Sequence, residues 1–207
     1  TRQYMELLEK QKMPLWDYVI LTASNESQAQ SYRMQIQYRL DHGMLPKSIH
    51  YAVLPDPDGK RVGSGGATLN VLRYIHQDAG SFDDKRILVI HSGGDSKRVP
   101  QYSACGKLFS PVPRLLPNGR RSTLFDGFMI SMCGVAARIR AGMLVCSGDV
   151  LLLFNPLQID FYGSGAAALS IKEPAEIGKN HGVYRVDEQG NVGGFLHKKT
   201  VDQLHEL

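Results

Sequence analysis

At 207 residues, 43% hydrophobic and 21% charged, the chain has the composition of an ordinary globular protein and the length to bury roughly 70% of its unfolded surface, which excludes a fibrous or disordered polypeptide. Its formal net charge of +4 is modest and spread over the basic pairs Lys60-Arg61, Lys97-Arg98, Arg120-Arg121 and Lys198-Lys199, a balance that fits a small anionic ligand and speaks against nucleic acid. No apolar stretch approaches the roughly 18 residues of a membrane span, and the cysteines Cys105, Cys133 and Cys146 lack metal-ligand spacing and suit a reduced, cytoplasmic setting.

The polar opening, Thr1 to Lys12, is no signal peptide, and a start at threonine reads as a trimmed one. Tyr18-Val-Ile-Leu21 predicts a first strand, and Ser24 to His42 a polar helix capped at Ser24 or Asn25 and stopped by Gly43. Ser48 to Leu54 predicts a second strand, ended by the turn Pro55-Asp-Pro-Asp-Gly59. Gly63-Ser64-Gly65-Gly66 leads into a helix from about Ala67 to Gln77. Arg86 to Ile90 is the third strand, Pro111 to Arg121 a surface loop, Thr123 to Ala141 an apolar helix, Met143 to Cys146 the fourth strand and Ala166 to Ile171 the fifth. Asn180 to Lys198 predicts a hairpin turning at Asp187 to Asn191, and Thr200 caps a last helix that is cut soon after it starts. Repeated strand, loop and helix units imply an α/β fold, a Rossmann-like, mostly parallel sheet with helices on both faces and ligands at the carboxyl ends of its strands.

The third strand empties into a turn dense with cations, Ser92-Gly93-Gly94-Asp95-Ser96-Lys97-Arg98, with Lys107 about nine residues on. Paired glycines let the backbone come close to a ligand with its amides pointing outward. The hydroxyl and the positive charges add charge-assisted hydrogen bonds of about 1.5–3 kcal/mol each, enough together to hold a triphosphate. The pattern is neither the nucleoside-triphosphatase loop nor the dinucleotide fingerprint.

Three further clusters lie near strand ends or in the hairpin. Asp149, in Ser147-Gly148-Asp149 after the fourth strand, either caps its turn or holds Mg²⁺ together with substrate phosphates. Gly63, Ser64, Gly65 and Gly66 offer amides at a helix N-terminus to an anion or a nucleobase. Gly182 is either a packing glycine or room for a sugar ring, Lys198 either solvated or a contact to the sugar phosphate, and the lone His181 sits beside them without any nucleophile, histidine and acid arrangement of a hydrolase.

Taken together, Trp16 to Ala23, Val53 to Asn70, Ile90 to Pro100, Gly106-Lys107, Ser147 to Val150 and Asn180 to Val183 resemble the fucose-1-phosphate guanylyltransferases, or GDP-L-fucose pyrophosphorylases, including the bifunctional fucokinase enzymes. The resemblance covers nearly the whole chain. It implies one nucleotidyltransferase domain over residues 1–207, truncated at its C-terminus, because family members continue into further sugar-site residues, a β-helical domain and, in bifunctional members, a sugar kinase. By similarity to the wider sugar nucleotidyltransferases, Arg98 and Lys107 are the expected catalytic residues. Gly93, Gly94, Asp95, Ser96 and Lys97, with the Gly63 to Gly66 loop, are expected on GTP, Asp149 on Mg²⁺, and His181, Gly182 and Lys198 on L-fucose-1-phosphate. His197 and Lys199 stand where glutamate and proline are common around that last lysine. The readings set against this one are a catalytically silent nucleotide-binding module and a nucleotidyltransferase for another sugar phosphate.

Overall fold

The computed structural model describes residues 15–92, 102, 106–116, 118–150, 154–155, 158 and 165–205. It divides into two compact units, Thr1–Tyr162 and Gly163–Leu207. In chain order the first unit runs β1 (Tyr18–Ala23), α1 (Glu26–Asp41), β2 (His50–Pro55), a 3-10 turn at Pro57–Gly59, α2 (Gly63–Ala79) and β3 (Arg86–His91). A second 3-10 turn at Lys107–Phe109 follows, then β4 (Pro111–Leu115), β5 (Arg121–Thr123), α3 (Leu124–Ala136) and β6 (Gly142–Ser147). Four strands form one sheet in the order β2-β1-β3-β6, every neighbour parallel.

Period-two alternation in a sheet buried on both sides explains why β1 and β3 read as continuous apolar runs. Val19, Leu21, Leu88 and Ile90 face a core shared with Tyr32 and Ile36 of α1 and Phe125, Met129 and Met132 of α3. Tyr18, Ile20, Ile87 and Val89 face the other way, onto Val71 and Ile75 of α2. The α/β architecture, parallel sheet and helices expected from the sequence are therefore present. Among the described residues no helix is long and apolar enough to cross a membrane.

Polar residues fix the helix starts. Asn25 caps α1 by accepting from the Gln28 amide at 2.9 Å. Thr123 and Asp126 form a reciprocal capping box on α3. Asp126 also holds Arg39 of α1 at 2.8 and 3.1 Å, a buried ion pair between two helices on the same face of the sheet.

Four segments depart most from the sequence reading. α2 starts at Gly63, not Ala67, with the Thr68 hydroxyl donating to the Ser64 carbonyl in its first turns. The Pro111 to Arg121 segment, expected as a loop, contains the antiparallel pair β4 and β5 closed by a bond from Leu116 N to Arg120 O; prolines are compatible with such a short peripheral strand. α3 ends at Ala136 rather than Ala141, because the next residues bend toward the sheet: Ile139 O accepts from Arg86 Nε, and Gly142 N bonds Lys85 O at the start of β6. Ala166 to Ile171 forms no strand; it pairs with no described strand, and Ile171 is exposed. A run of strand-forming side chains needs a partner edge before it becomes a strand.

The second unit contains α4 (Ala175–Gly178), β7 (Gly182–Val186), β8 (Val192–His197) and α5 (Val201–His205). β7 and β8 make the expected antiparallel hairpin. Its turn is organised by the Asp187 carboxylate, which accepts from the amides of Gln189 and Asn191 and from the Asn191 side chain. Thr200 and Gln203 exchange side-chain bonds across the start of α5, the predicted cap.

Candidate functional site

After β2 the chain crosses β1 and resumes at β3 on its other side, so the connections leave β1 and β3 in opposite directions and open a crevice at their carboxyl ends. A cleft of about 390 Å³ occupies that position. Its walls come from the ends of β1 (Thr22, Ala23, Ser24), β3 (His91, Ser92) and β6 (Ser147, Gly148, Asp149), from the loop and first turn leading into α2, and from Lys107 and Leu108.

Each wall residue is placed by its own segment. Lys107 begins a 3-10 turn whose next two residues, Leu108 and Phe109, are buried in the core. Phe109 packs on Tyr32 and lies under the Arg39 guanidinium, so the apolar part of the turn is fixed while the lysine is left half-exposed. Gly106 precedes it with φ +65, and a Cβ there would overlap the Tyr32 hydroxyl, which itself donates to the Ser92 carbonyl. Asp149 is brought in from the other side. Gly148 N bonds His91 O at 2.8 Å, an approach so close that a Cβ on Gly148 would stand 2.8 Å from Ser92 Cβ.

The two arms meet: Lys107 Nζ lies 3.5 Å from Asp149 Oδ2. A hydrogen bond from the Ser147 hydroxyl at 2.7 Å, followed by the Lys107 charge, holds the Asp149 carboxyl below its ordinary range. Both side chains keep substantial exposure, and an exposed pair of this kind contributes at most about 1 kcal/mol, so a ligand can exchange with it at little cost.

The start of α2 forms the opposite wall. Its N-cap residue is Val62, which has no side-chain oxygen to satisfy the first-turn amides, in contrast to Asn25 and Thr123 on α1 and α3. Gly63 and Ser64 line the cleft. An uncapped helix start beside a cleft suits an anion or the polar edge of a base.

Asp56, Arg61 and His91 also line the cleft and were not singled out from the sequence. Burial pushes the Asp56 carboxyl up, against the Val62 amide and the Arg61 charge that favour its ionised form. Burial pushes the His91 imidazole down, opposed by Asp56. Asp56 sits in a segment that reads locally as a turn, Arg61 reads only as one of several basic pairs, and His91 is the polar end of an apolar strand; no local pattern assigns them to a site.

Of the residues expected in the site, the structure brings Gly63, Ser64, Lys107 and Asp149 into one cleft, with Gly65 and Gly66 in the same first turn of α2. Gly93, Gly94, Asp95, Ser96, Lys97 and Arg98 lie outside the described residues. His181, Gly182 and Lys198 belong to the second unit. There Lys198 N bonds His181 O at 3.1 Å, Lys198 has φ +50, and the Phe195 ring occupies the space where a Gly182 side chain would stand.

The family model described as Fucose pyrophosphorylase domain matches residues 79–207. The chain belongs to that family. Among its named relatives, the Bifunctional fucokinase/GDP-fucose pyrophosphorylase of Arabidopsis thaliana is 32% identical over 93% of this chain and 22% of its own length. The Fucose-1-phosphate guanylyltransferase of Homo sapiens is 30% identical over 100% of this chain and 36% of its own. The L-fucokinase/L-fucose-1-P guanylyltransferase of Bacteroides fragilis is 42% identical over 73% of this chain and 18% of its own. The chain thus spans a third or so, or less, of these members of the fucose pyrophosphorylase family. No solved structure matches it significantly.

Proposed function

We propose that the chain is the nucleotide-binding portion of a sugar-1-phosphate nucleotidyltransferase that joins GTP and L-fucose-1-phosphate into GDP-L-fucose with release of pyrophosphate. The observation that carries this reading is the meeting of Lys107 and Asp149 in a cleft whose facing wall is an uncapped helix start. The names of the family relatives supply the sugar and the base.

In the reaction an oxygen of the sugar phosphate attacks the α-phosphorus of GTP, and the bond from that phosphorus to the β-phosphate bridging oxygen breaks, releasing pyrophosphate. The attacking phosphate is already ionised, so no side chain has to remove a proton. The chain's contribution is positioning and charge neutralisation. The α2 amides receive the nucleotide, Lys107 faces the phosphates, and Arg98 with the Gly93 to Lys97 turn is assigned to the triphosphate by the family resemblance. Asp149, ionised and reachable, is the residue that would hold Mg²⁺. The described residues gather no group of three His, Cys, Asp or Glu side chains, which fits an ion bound by one or two carboxylates and the substrate's own phosphates rather than an all-protein cage. When bound, such an ion screens the charge shared between the two anionic substrates. His181 and Lys198 are assigned to the sugar phosphate.

Two relatives are named for a fucokinase as well, which supports a sugar kinase, fused or separate, as the source of the sugar-1-phosphate. Free, buried Cys133 and Cys146 suit a cytoplasmic protein.

Pyrophosphate release by the full-length protein tests the proposal, with GTP, Mg²⁺ and L-fucose-1-phosphate set against ATP, UTP and other sugar phosphates. Selective turnover of GTP and fucose-1-phosphate is expected. GTP binding without turnover would mean a silent binding module, and preference for another sugar phosphate would replace the assigned substrate.

A further inference from the structure

His91 lines the crevice, and both of its ring nitrogens and its carbonyl have partners. It is the last residue of β3 and stands opposite Thr22 in the register with β1. Its Nδ1 lies 3.1 Å from Thr22 Oγ1, and its Nε2 lies 2.9 Å from Thr68 Oγ1 in α2. Its carbonyl accepts from Gly148 N, one residue before Asp149.

The proton positions follow from counting. A threonine hydroxyl has one proton, and that of Thr68 is directed to the Ser64 carbonyl at 2.9 Å. Toward His91, Thr68 is therefore an acceptor, and Nε2 carries the hydrogen. With Nε2 protonated, the neutral ring accepts at Nδ1, and the Thr22 hydroxyl donates to it. Burial of the ring disfavours the doubly protonated form, although the Asp56 charge opposes this. Both nitrogens are consumed by hydroxyls, so the ring has no free atom with which to take or give a proton at the reacting phosphate.

We infer that His91 is a positioning residue: as the Nε2-protonated imidazole it clamps the first turns of α2 to the ends of β1 and β3, and its carbonyl anchors the Asp149 turn to the same point. The inference rests on the nucleotidyltransferase reading for the purpose of the clamp, not for its existence. A flexible or apolar side chain at this place cannot replace it, because the span needs one donor and one acceptor at a fixed separation. Its consequence is that the amide wall assigned to the nucleotide, held by the ring, and the carboxylate wall assigned to the metal, held by the backbone carbonyl, are set relative to one another by one residue.

Two measurements on the full-length protein test this. Nitrogen NMR of ¹⁵N-histidine-labelled protein reports the tautomer without any turnover. The Nε2-protonated form is expected for His91, with its Nε2 signal displaced in Thr68→Val; the Nδ1-protonated or doubly protonated form near neutral pH would overturn the clamp. Kinetics then read its purpose. Thr68→Val and His91→Ala are each expected to raise KM for GTP by roughly fivefold to tenfold, the equivalent of one or two neutral hydrogen bonds, with kcat little changed. Thr68→Ser, which keeps the hydroxyl, restores KM, and the double variant is no worse than either single one. A loss of roughly a thousandfold in kcat in His91→Ala with KM unchanged would make the ring an acid or base and overturn the inference. So would wild-type KM in a folded Thr68→Val protein. Should the unsubstituted protein release no pyrophosphate from GTP, the nucleotidyltransferase reading fails on its own, and the tautomer still decides the clamp.

Discussion

Lys107 and Asp149 reach their contact by opposite means, and that difference predicts how each arm fails. The lysine rides on a turn anchored by buried Leu108 and Phe109, so Lys107→Ala removes a charge and leaves its support intact. With the protein folded, turnover at saturating substrates is expected to fall by roughly a hundredfold or more, as for other charge-stabilising donors. Steady-state pyrophosphate release checks this, and near-wild-type turnover would remove Lys107 from the mechanism. The Asp149 carboxyl titrates below its ordinary range, so its ionised form and the stability that goes with it are complete at neutral pH and are lost only as pH falls through that lowered value. Lys107→Ala withdraws the charge and hydrogen bond of the lysine and leaves the Ser147 bond, so with Asp149 holding the proposed metal the acid limb of its binding should move up, toward neutral pH; a binding titration with Mn²⁺ as the probe would show the limb unmoved if the lysine played no part. Asp149, by contrast, depends on a backbone approach. Gly148→Ala puts a Cβ against Ser92 and the His91 carbonyl, so the Asp149 turn must retreat. Displacement of about 1 Å in a reacting arrangement can cost about a hundredfold, and we expect a loss of that order in turnover with a much smaller change in melting temperature.

The elements that carry these residues were legible where their signals are local. The apolar runs of β1 and β3, the Asn25 cap, the Asp187 turn and the Thr200 cap are each written in a few adjacent residues, and each falls where the sequence places it. Asp149 and the Gly63 to Gly66 loop were legible as cleft neighbours for the same reason, since strand ends and glycine turns are visible in the chain, although α2 itself begins at Gly63 and not at Ala67. The clamp at His91 was not, because Thr22, Thr68 and His91 become neighbours only through the β1 and β3 register and the packing of α2. Nor was the buried Arg39 and Asp126 pair, whose members lie 87 residues apart and whose helix α1 otherwise reads as polar. That pair ties α1 to α3, and its guanidinium covers Phe109 beside Lys107. Asp126→Ala leaves the Arg39 charge buried and strips α3 of its capping box, and it is expected to destabilise the fold by about 3–5 kcal/mol, measured by urea unfolding. A loss near zero would mean that Arg39 finds water or another acceptor when Asp126 is gone.

At the scale of the molecule, the assigned chemistry is divided between two units of the chain. The cleft in Thr1–Tyr162 contains the α2 start assigned to the nucleotide, Lys107 and Asp149, whereas the residues assigned to the sugar phosphate stand on the hairpin unit Gly163–Leu207. That division makes the two substrates separable by mutation. Lys198 offers a clean probe, because its φ of +50 is a conformation that glycine adopts freely and most side chains avoid. Lys198→Gly removes the ammonium while easing the backbone, so the variant should melt no lower than the parent, and any change in kinetics reports the lost charge and not a disturbed fold. With the assignment correct, KM for the sugar-1-phosphate rises by about tenfold, equivalent to one charge-assisted hydrogen bond, while KM for GTP stays where it was. Lys107→Ala differs in kind, losing turnover at saturating substrates. A Lys198→Gly protein that melts normally and keeps its sugar-phosphate KM would show that the left-handed lysine serves only to turn the chain after β8, and the sugar side of the site would have to be sought elsewhere.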